Sequence, residues 1–546
     1  MTLKAVSLTF QPSSTALLGL RDSHTIGASA FKRASGPSGR TTASRISAME
    51  RKWWTLLAVC VATFMLLVDV TIVNVALPSI QRDLDAGLTS LQWVVDAYAL
   101  MLSALMLTAG SLADRLGRKR VFELGIVVFT VASLLCGLAP TSTLLDLSRG
   151  LQGVGGAAMF ATSLALIAQE FRGREFGTAI AAWGSTVGAA VAVGPLVGGA
   201  LTEGLGWEWI FFVNVPVGAV ALALALLRMR EFRDQESRGI DPGGLVTSSV
   251  ALFLLVFGLL RGNAEGWSSA LILGSLVGAV LLLAAFVAIE RRGERPMLDL
   301  SLFRRPAFVG VSLGTVAIGA GMFAMFFYLS LYLQDILGYS PLQAGLRFLP
   351  LTLLVFLIPA ATRGVAEQMP PRVMLGSGLA LVSLGLFLMH GIGTSSEWTT
   401  LLAGLIVAGI GIGLSNPAIG SIALGVVEPA RSGMASGFSN TCRIGGVAIG
   451  VAGLGAVFQH RIESKLTELA PQAPGGLSDA IASGNTGTAA KARVADAAEQ
   501  AFIAGLNEIL LVGAATLLIG ALAAFALIRA RDFAAARKPA PAPAEA

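Results

Sequence analysis

The chain has little charge, little cysteine and little histidine. Of its 546 residues only 13% are charged, whereas 54% are hydrophobic, and its mean hydropathy is +0.74. This composition excludes a soluble globular fold, because too few polar residues remain to cover a surface, and it indicates a polytopic membrane protein. The three cysteines lie singly in apolar runs and the three histidines are scattered. We therefore expect no disulfide framework, no metal site and no cofactor.

Apolar segments long enough to cross a bilayer recur along the whole chain. A spanning helix needs about 20 apolar residues, and helices are predicted because lipid offers the backbone no hydrogen-bond partners. The predicted fold class is an all-α membrane protein with fourteen transmembrane helices. They cover residues 53–77, 91–112, 121–139, 142–168, 177–202, 210–228, 244–260, 269–289, 306–333, 342–362, 372–390, 399–419, 432–458 and 504–529.

Lys and Arg are distributed unequally between the two sides of these helices. With a cytoplasmic N-terminus, the inner segments carry most of the 39 basic residues. The outer loops carry only Arg82, Arg261, Arg461, Lys465, Lys491 and Arg493. The positive-inside rule then places both termini in the cytoplasm, as in a multi-pass protein of a bacterial cytoplasmic membrane. The same bias explains the formal net charge of +6 without a nucleic-acid partner.

The spans divide the chain into a six-helix bundle at 49–230, an inserted helix pair with flanking loops at 231–305, and a second six-helix bundle at 306–530. Residues 1–48 are predicted to be a disordered extension. Their composition fits a transit peptide or upstream sequence included by a misassigned start, and Met49 is favoured as the true start. A long outer loop is predicted at 459–503, and the Pro/Ala-rich tail at 531–546 is predicted to be disordered.

Three ionisable side chains lie inside spanning helices of the first bundle. Asp69, Asp96 and Arg149 are each predicted about 9–13 Å from the outer end of a helix. Charge at that depth is costly and needs a reason. A buried carboxylate near a cation is the arrangement that proton coupling requires. The alternatives are a fixed structural pair of Asp69 with Arg149, and an Asp96 that faces water.

Two further groups are candidates for the wall of a substrate cavity. Helix periodicity places Met65, Ile72 and Val73 on one stripe with Asp69. In the second bundle, Asn440 and Arg443 lie in a span without acidic residues. Simple hydrogen bonding between helices is the alternative for these two.

The stretch from 110 to 120, GSLADRLGRKR, is a short basic loop between two spans. Asp114 is placed to interact with helix N-termini or cations, so the loop is a candidate gate that forms in one access state and breaks in the other. The alternative is that its cations only fix topology. The predicted gating residues are Gly110, Asp114, Arg115, Gly117, Arg118 and Lys119.

The fifth span contains a run of small residues around a proline. Gly194-Pro195 followed by Gly198-Gly199 interrupts regular helix hydrogen bonding and allows a neighbouring helix to approach closely. Ordinary small-residue packing is the alternative.

Taken together, these motifs resemble the major facilitator superfamily, and within it the fourteen-helix drug:proton antiporters. They are the loop, Val-Asp-Val-Thr-Ile-Val-Asn-Val-Ala-Leu-Pro in helix one, Arg149-Gly-x-Gln, the Gly194-Pro195 segment and WEWIFFVNVPVG. The resemblance implies a major facilitator fold of two six-helix bundles plus two inserted helices. It also implies efflux of hydrophobic, often cationic, drugs by alternating access, driven by the proton gradient.

The resemblance assigns roles residue by residue. Asp69 corresponds to the helix-one acid, Asp114 and Arg115 to the loop motif, Arg149 to the helix-four arginine, and the Gly194–Gly199 segment to the antiporter motif, with Ala190 in place of its first glycine. The expected partners are a lipophilic small molecule, protons and the lipid bilayer, and a monomer is expected. An acid in helix thirteen, which would favour dications, is absent from the sequence.

A dedicated exporter of an endogenous lipid, siderophore or antibiotic metabolite fits the same features. An enzyme would show a Ser/His or His/Asp/Glu constellation at a membrane surface, and a receptor would carry a soluble domain. Neither is visible in the sequence, so a transporter rather than an enzyme is predicted.

Overall fold

The computed structural model describes residues 38–86, 88–231, 241–293, 296–362, 369–428, 431–472, 477–482, 494–529 and 532. The chain divides into two compact units, residues 1–50 and 51–546. In the first unit the described residues, from Ser38 onward, are helical, which differs from the disorder predicted for that part of the extension. Neither proline nor a run of glycines interrupts this stretch. The predicted disorder of residues 1–37 and 533–546 lies outside the described residues.

Helices make up the first bundle and the inserted pair. The first six spans correspond to α1 (Ser38–Asp83), α2 (Leu88–Leu116), α3 (Arg118–Gly137), α4 (Ser142–Glu170), α5 (Arg174–Gly204), and the consecutive α6 (Trp209–Phe212) and α7 (Asn214–Arg228). The inserted pair is α8 (Pro242–Glu265) and α9 (Ala270–Arg292).

The second bundle contains more irregular helices. Its first span is α10 (Pro306–Ile318) and α11 (Ala324–Leu331), each followed by a π-helical turn. The others are α12 (Pro341–Arg347), α13 (Leu349–Ala361), α14 (Pro371–Met389), α15 (Leu402–Gly425), α16 (Ser432–Leu469), the short α17 (Leu477–Ala482) and α18 (Ala495–Leu527).

Each predicted span corresponds to one of these helices or to a consecutive pair. Within the described residues, twelve helices are long and apolar enough to cross a membrane. The other two predicted spans are α5, with 31 residues, and the α12–α13 pair, which is interrupted at Phe348. Pro350 stands in the first turn of α13, where its missing N–H costs nothing, so a new helix begins there.

Two predicted outer loops are partly helical instead. The loop predicted at 459–503 is shorter, because α16 continues to Leu469 and α18 begins at Ala495. An ion pair of 3.1 Å between Arg461 and Glu508 joins these extended helices. Similarly, α8 continues past residue 260, so Arg261 is a helical side chain with only 4% of its surface exposed.

Two seams join the six-helix bundles. In one, α2 of the first bundle packs against α16 of the second, and α8 of the inserted pair packs against both helices. In the other, α5 packs against α13. Residues that reach either seam are therefore placed to contact both bundles.

Candidate functional site

Asp69 is the centre of a buried polar cluster in the first bundle. Its side chain is fully buried, and its Oδ2 accepts a hydrogen bond of 2.5 Å from Nη1 of Arg149. Its Oδ1 accepts from Nε2 of Gln152 at 2.8 Å and from Nδ2 of Asn214 at 3.0 Å. The carboxylate on α1 thus holds side chains of α4 and α7 together. Asp69 and Arg149 form the ion pair that was considered as the alternative to proton coupling.

Arg149 also connects this cluster to α2. Its Nε donates to the backbone oxygen of Val94 at 2.9 Å, and its guanidinium lies 4.3 Å from the centre of the Tyr98 ring. Hydrogen bonds to charged groups and cation–π contacts are strong when they are buried. A change in the charge of Asp69 would therefore alter the contacts of Arg149 with α2.

The chemistry of this cluster follows from its burial. Breaking a buried ion pair by neutralising one partner costs about 3–5 kcal/mol, because the other charge is left uncompensated. Adding a proton to Asp69 would remove the compensation of Arg149 in this arrangement. The cluster can therefore convert proton binding into a preference for another arrangement of α1, α2, α4 and α7.

Asp96 does not join this cluster. It follows Val94 by two residues, which turns it roughly 200° around α2 and away from Arg149. Its carboxylate lies 3.7 Å from Arg261 of the inserted pair, and Arg261 also donates to Gln92 at 2.8 Å. The structure therefore separates the two acids that we predicted at one site.

The glycines of the fifth span pack α5 against the turn of α1 that carries Asp69. A Cβ atom on Gly194 would overlap Oγ1 of Thr71, and one on Gly198 would lie 2.8 Å from Cγ1 of Ile72. By contrast, a Cβ atom on Gly199 would meet nothing within 4 Å. The lack of a side chain at Gly194 and Gly198 thus allows α5 to lie close to α1. The sequence predicted an interrupted helix at Pro195, but α5 is continuous from Arg174 to Gly204.

The apolar stripe of α1 lies in packed core. Met65, Ile72 and Val73 are at most 2% exposed, and Ile72 and Val73 belong to a cluster with Trp207 and Phe211. None of the three lines the cleft described below. Periodicity identified the shared face of these residues correctly, but other helices cover that face.

Asp114 binds the first turn of α16 in the opposite bundle. Its carboxylate accepts from the backbone N–H groups of Gly433 at 3.0 Å and Met434 at 2.8 Å, and from Nε of Arg118 at 2.9 Å. Helix N-termini carry unsatisfied N–H groups and partial positive charge, so a carboxylate stabilises them. The predicted loop is helical here, because α2 continues to Leu116 and α3 begins at Arg118. The end of α2 thus caps a helix of the second bundle, and the gating function stays a prediction.

Glycines bring the backbones of α2 and α16 together beside this cap. A Cβ atom on Gly110 would lie 2.4 Å from the backbone oxygen of Gly433, and one on Gly437 would lie 2.6 Å from that of Met106. Such contacts allow helices to pack at the distances that small residues permit. Substitutions here would separate the two bundles.

The rest of the loop contacts the first bundle and the inserted pair. Gly117 has a φ of +116°, and a Cβ atom at this position would overlap the carboxylate of Glu231. That carboxylate accepts hydrogen bonds from the backbone N–H groups of Lys119 and Arg120 at 3.1 and 3.2 Å. Arg115 is 8% exposed. Its positive charge interacts with the carboxylates of Asp241, which caps α8, and of Glu290 in α9. These contacts hold the loop itself in place.

A narrow cleft, with room for about one water molecule, lies along the seam between α5 and α13. Its polar lining residues are Thr352 and Asn416, and the remainder are apolar or glycine. The lining consists of Val187, Gly188, Phe326, Leu351, Thr352, Val355, Ile412 and Asn416.

The two predicted cavity residues of the second bundle take different positions. Nη1 of Arg443 donates to Oδ1 of Asn416 at 3.0 Å, so Arg443 reaches the cleft through that amide. Nδ2 of Asn440 donates to the backbone oxygen of Phe160 at 3.0 Å, which makes it a link between bundles.

Gln152, Asn214 and Asn416 are absent from the predicted site. Each is an amide in a largely apolar span, where a buried polar group needs a partner. That signal was available for all three residues, and Gln152 and Asn214 also lie in motifs that carry the family resemblance. Gln152 also lies one turn after Arg149, on the same face of α4.

Comparison with known proteins gives the family. Residues 59–451 match the model of the Major Facilitator Superfamily. The multidrug resistance protein Stp of Mycobacterium tuberculosis (strain CDC 1551 / Oshkosh) is 35% identical over 413 residues, covering 76% of this chain and 77% of that protein. The tetracenomycin C resistance and export protein of Streptomyces glaucescens is 32% identical over 511 residues, covering 89% and 93%.

Solved structures agree on the fold. The human organic anion transporter MFSD10 superposes with a TM-score of 0.58 at 14% identity, over 87% of this chain and 99% of that chain. At that identity the likeness establishes the fold alone.

Proposed function

Since the chain belongs to the Major Facilitator Superfamily, we propose that it is a proton-coupled antiporter that exports lipophilic small molecules by alternating access. The chain would act as a monomer in a bacterial cytoplasmic membrane, with both termini in the cytoplasm. The proton gradient would supply the energy, without a bound cofactor.

The buried pair of Asp69 and Arg149 is the observation that carries this proposal. It lies in a protein whose described helices are mostly apolar spans, and hydrogen bonds join it to two other helices, α2 and α7. A charge held this deep is most simply explained by a function that moves protons. Asp69 is the coupling acid, and Arg149 is the residue that reports its charge to α2.

The proposed cycle uses α2 as its connecting element. With Asp69 ionised, Arg149 remains bound to it and to Val94, and Asp114 caps α16 in the other bundle. Protonation of Asp69 releases Arg149 and favours a rearrangement of α2. The Asp114 cap then breaks, and access passes from one side of the membrane to the other. Lipophilic substrate favours the opposite arrangement, which makes the exchange obligatory.

The substrate class is supported by the cleft and by the names of the relatives. One relative is named for multidrug resistance and another for resistance to and export of tetracenomycin C. The cleft wall is mainly apolar, as lipophilic drugs require. Export of an endogenous antibiotic metabolite is the second candidate, since the second relative is named for export as well as resistance.

The test is substrate-driven proton movement in proteoliposomes that contain a pH-sensitive dye. We expect ethidium, tetraphenylphosphonium or anthraquinone to trigger proton flux through the wild-type protein. Asp69→Asn should abolish that flux, because the side chain no longer changes charge. Asp96→Asn is the matched control and should retain it, since Asp96 lies on another face of α2.

Unchanged flux in folded Asp69→Asn would refute the assignment of the coupling acid. Loss of flux in Asp96→Asn alone would move the coupling to the Asp96–Arg261 pair. A wild-type protein that exchanges substrates without moving protons would refute antiport.

A further inference from the structure

We infer that the inserted pair fastens the end of α2 to the start of α16, with Glu290 and Asp299 as positioning residues for the cap that Asp114 forms. The connection runs through residues 296–305, which follow α9 and which we call the strap. The inference deepens the proposed export function, on which its consequence for transport rests, and it gives the inserted pair a part in the contact between the two bundles.

The end of α2 meets the inserted pair through opposite charges. The positive charge of Arg115, the residue after Asp114, interacts with the carboxylates of Asp241 and Glu290. Both carboxylates lie at the first turn of α8, because Asp241 accepts from the N–H of Gly244 at 2.9 Å and a Cβ atom on that glycine would lie 2.9 Å from Oε1 of Glu290. Two carboxylates so close repel each other, and a cation beside them favours their charged forms. The inserted pair is therefore held next to the residue that caps α16.

Glu290 also holds the strap. Its Oε1 accepts a hydrogen bond from the backbone N–H of Met297 at 3.1 Å. Glu290 and the strap residues Met297, Leu298 and Leu302 are all at most 4% exposed. The start of the strap is therefore packed against the protein, and its position depends on the same carboxylate that faces Arg115.

The rest of the strap binds both sides of the turn that precedes α16. Oδ2 of Asp299 accepts from Nη1 of Arg431 at 3.0 Å, and Arg431 directly precedes Ser432, the first residue of α16. Nη1 of Arg305 donates to the backbone oxygen of Val426 at 2.6 Å, just after the end of α15. The strap therefore fixes this turn at two points, one of which is the residue at the N-terminus of α16.

These contacts set where the donors of the cap lie. Asp114 accepts from the N–H groups of Gly433 and Met434, which follow Arg431 closely in the chain. Hydrogen bonds weaken steeply as their geometry worsens, so a displacement of Arg431 weakens both bonds. Asp299 acts on those N–H groups through Arg431, and without Asp114 it has no cap to position.

The test measures maleimide labelling of Ala435→Cys, at a buried position in the first turn of α16, in the full chain without its native cysteines. The protein is held in lipid nanodiscs without substrate or a proton gradient. Asp299→Asn keeps an oxygen for the N–H of Ser301, from which Asp299 accepts at 2.9 Å, and it loses the ion pair with Arg431. We expect labelling to become about two- to fivefold faster, as the loss of an exposed ion pair allows.

Matched variants separate positioning from general stability. Arg431→Lys keeps the charge and should label at the wild-type rate, whereas Arg431→Gln should label as fast as Asp299→Asn. Glu468→Gln breaks an exposed ion pair with Lys465 toward the other end of α16 and should leave the rate unchanged. In an Asp114→Ala background, Asp299→Asn should add nothing, because the cap that it positions is gone.

The two substitutions of Glu290 test the start of the strap. Glu290→Ala should speed labelling, because it removes the acceptor for the N–H of Met297 and a charge that faces Arg115. Glu290→Gln keeps an acceptor for that N–H and should speed labelling less. Equal rates for these two variants would remove Glu290 from the connection and overturn the inference.

A wild-type labelling rate in folded Asp299→Asn would also overturn the inference. The same holds if the effects of Asp114→Ala and Asp299→Asn multiply when they are combined, because additive free energies mean that the strap and the cap act independently.

Proton flux in proteoliposomes separates this inference from the proposed function. If the labelling pattern holds while lipophilic substrates drive no proton flux through the wild-type protein, the antiport proposal fails and the inference about the strap stands. If flux is present but Asp299→Asn labels at the wild-type rate, the inference about the strap fails alone.

Discussion

Asp69 receives its hydrogen bonds from side chains of two other helices. Gln152 is the central member, because its Nε2 donates to Asp69 at 2.8 Å and to Oγ of Ser133 at 2.8 Å, while its oxygen accepts from Arg149 at 2.6 Å. Each of its polar atoms is used. An amide in this position orients both charges and takes no part in carrying the proton, so Gln152 is a positioning residue.

Gln152→Leu should therefore impair both stability and coupling. The leucine fills a similar volume but removes one buried hydrogen bond each from Asp69, Arg149 and Ser133. We expect a loss of about 1–3 kcal/mol in stability, measured by thermal unfolding in detergent, together with slower proton-coupled transport. Gln169→Leu, in the same helix and away from Asp69, is the control. Equal effects of the two substitutions would contradict the positioning role.

At the scale of the element, α2 connects the candidate sites. One face meets Arg149 through the backbone oxygen of Val94, another meets the inserted pair at Asp96, and its end meets α16 through Asp114. A helix that serves three neighbours cannot change its position at one of them without affecting the others. Through α2, a movement at Arg149 in the interior of the first bundle would therefore also move Asp114 at the end of the helix.

The close contact between α2 and α16 predicts a selective effect of one methyl group. Gly433→Ala would place a Cβ atom 2.4 Å from Oδ1 of Asp114 and 2.7 Å from the backbone oxygen of Gly110. The two helices must then separate, so transport should fall at least tenfold. Gly445→Ala in the same helix meets nothing within 4 Å and should transport at the wild-type rate. Equal rates for both variants would show that the contact does not limit the cycle.

The pair of Asp96 and Arg261 predicts a compensating double substitution. Arg261→Met leaves Asp96 partly buried beside an apolar side chain, which should lower the thermal unfolding temperature. Adding Asp96→Asn removes the uncompensated charge and should restore part of the loss. A double variant that is less stable than Arg261→Met would show that the pair contributes nothing.

Sequence patterns predicted the helices better than their contacts. Apolar length predicted the spans, because lipid imposes it on any helix. The pairing of Asp69 with Arg149 was named as the alternative to proton coupling, since two buried charges of opposite sign need each other. Cavity lining by Met65, Ile72 and Val73 and proton coupling by Asp96 stay predictions, and the contacts of these residues were not foreseen. Periodicity shows which residues share a face, whereas the neighbour that covers it depends on how distant helices pack.

At the scale of the whole molecule, the first bundle holds the second by a helix cap. Asp114 satisfies two N–H groups at the start of α16. A cap of this kind contributes about 0.5–2 kcal/mol, which is enough to bias two access states and small enough for protonation or substrate to overcome. The cap therefore suits a contact that forms and breaks in every cycle.

Labelling of a buried cysteine measures this bias directly. Ala435→Cys, in a background lacking Cys60, Cys136 and Cys442, places a thiol on α16 where the residue is 1% exposed. Adding Asp114→Ala should increase its rate of reaction with a maleimide severalfold, because the seam opens more often. Arg120→Ala removes a cation of α3 that pairs with Glu231 and should leave the labelling rate unchanged. Unchanged labelling in Asp114→Ala would contradict the latch.

The inserted pair has a consequence for the route that a fat-soluble compound can take. On α8, Ser249 lies 2.7 Å from Thr108 of α2, and Asn263 donates to the backbone oxygen of Ala452 of α16 at 3.4 Å. This helix therefore covers the α2–α16 seam with a surface that includes exposed side chains such as Val246 and Val250. A molecule diffusing within the surrounding lipid on that side reaches α8 first, so sideways entry from the membrane into this seam is obstructed.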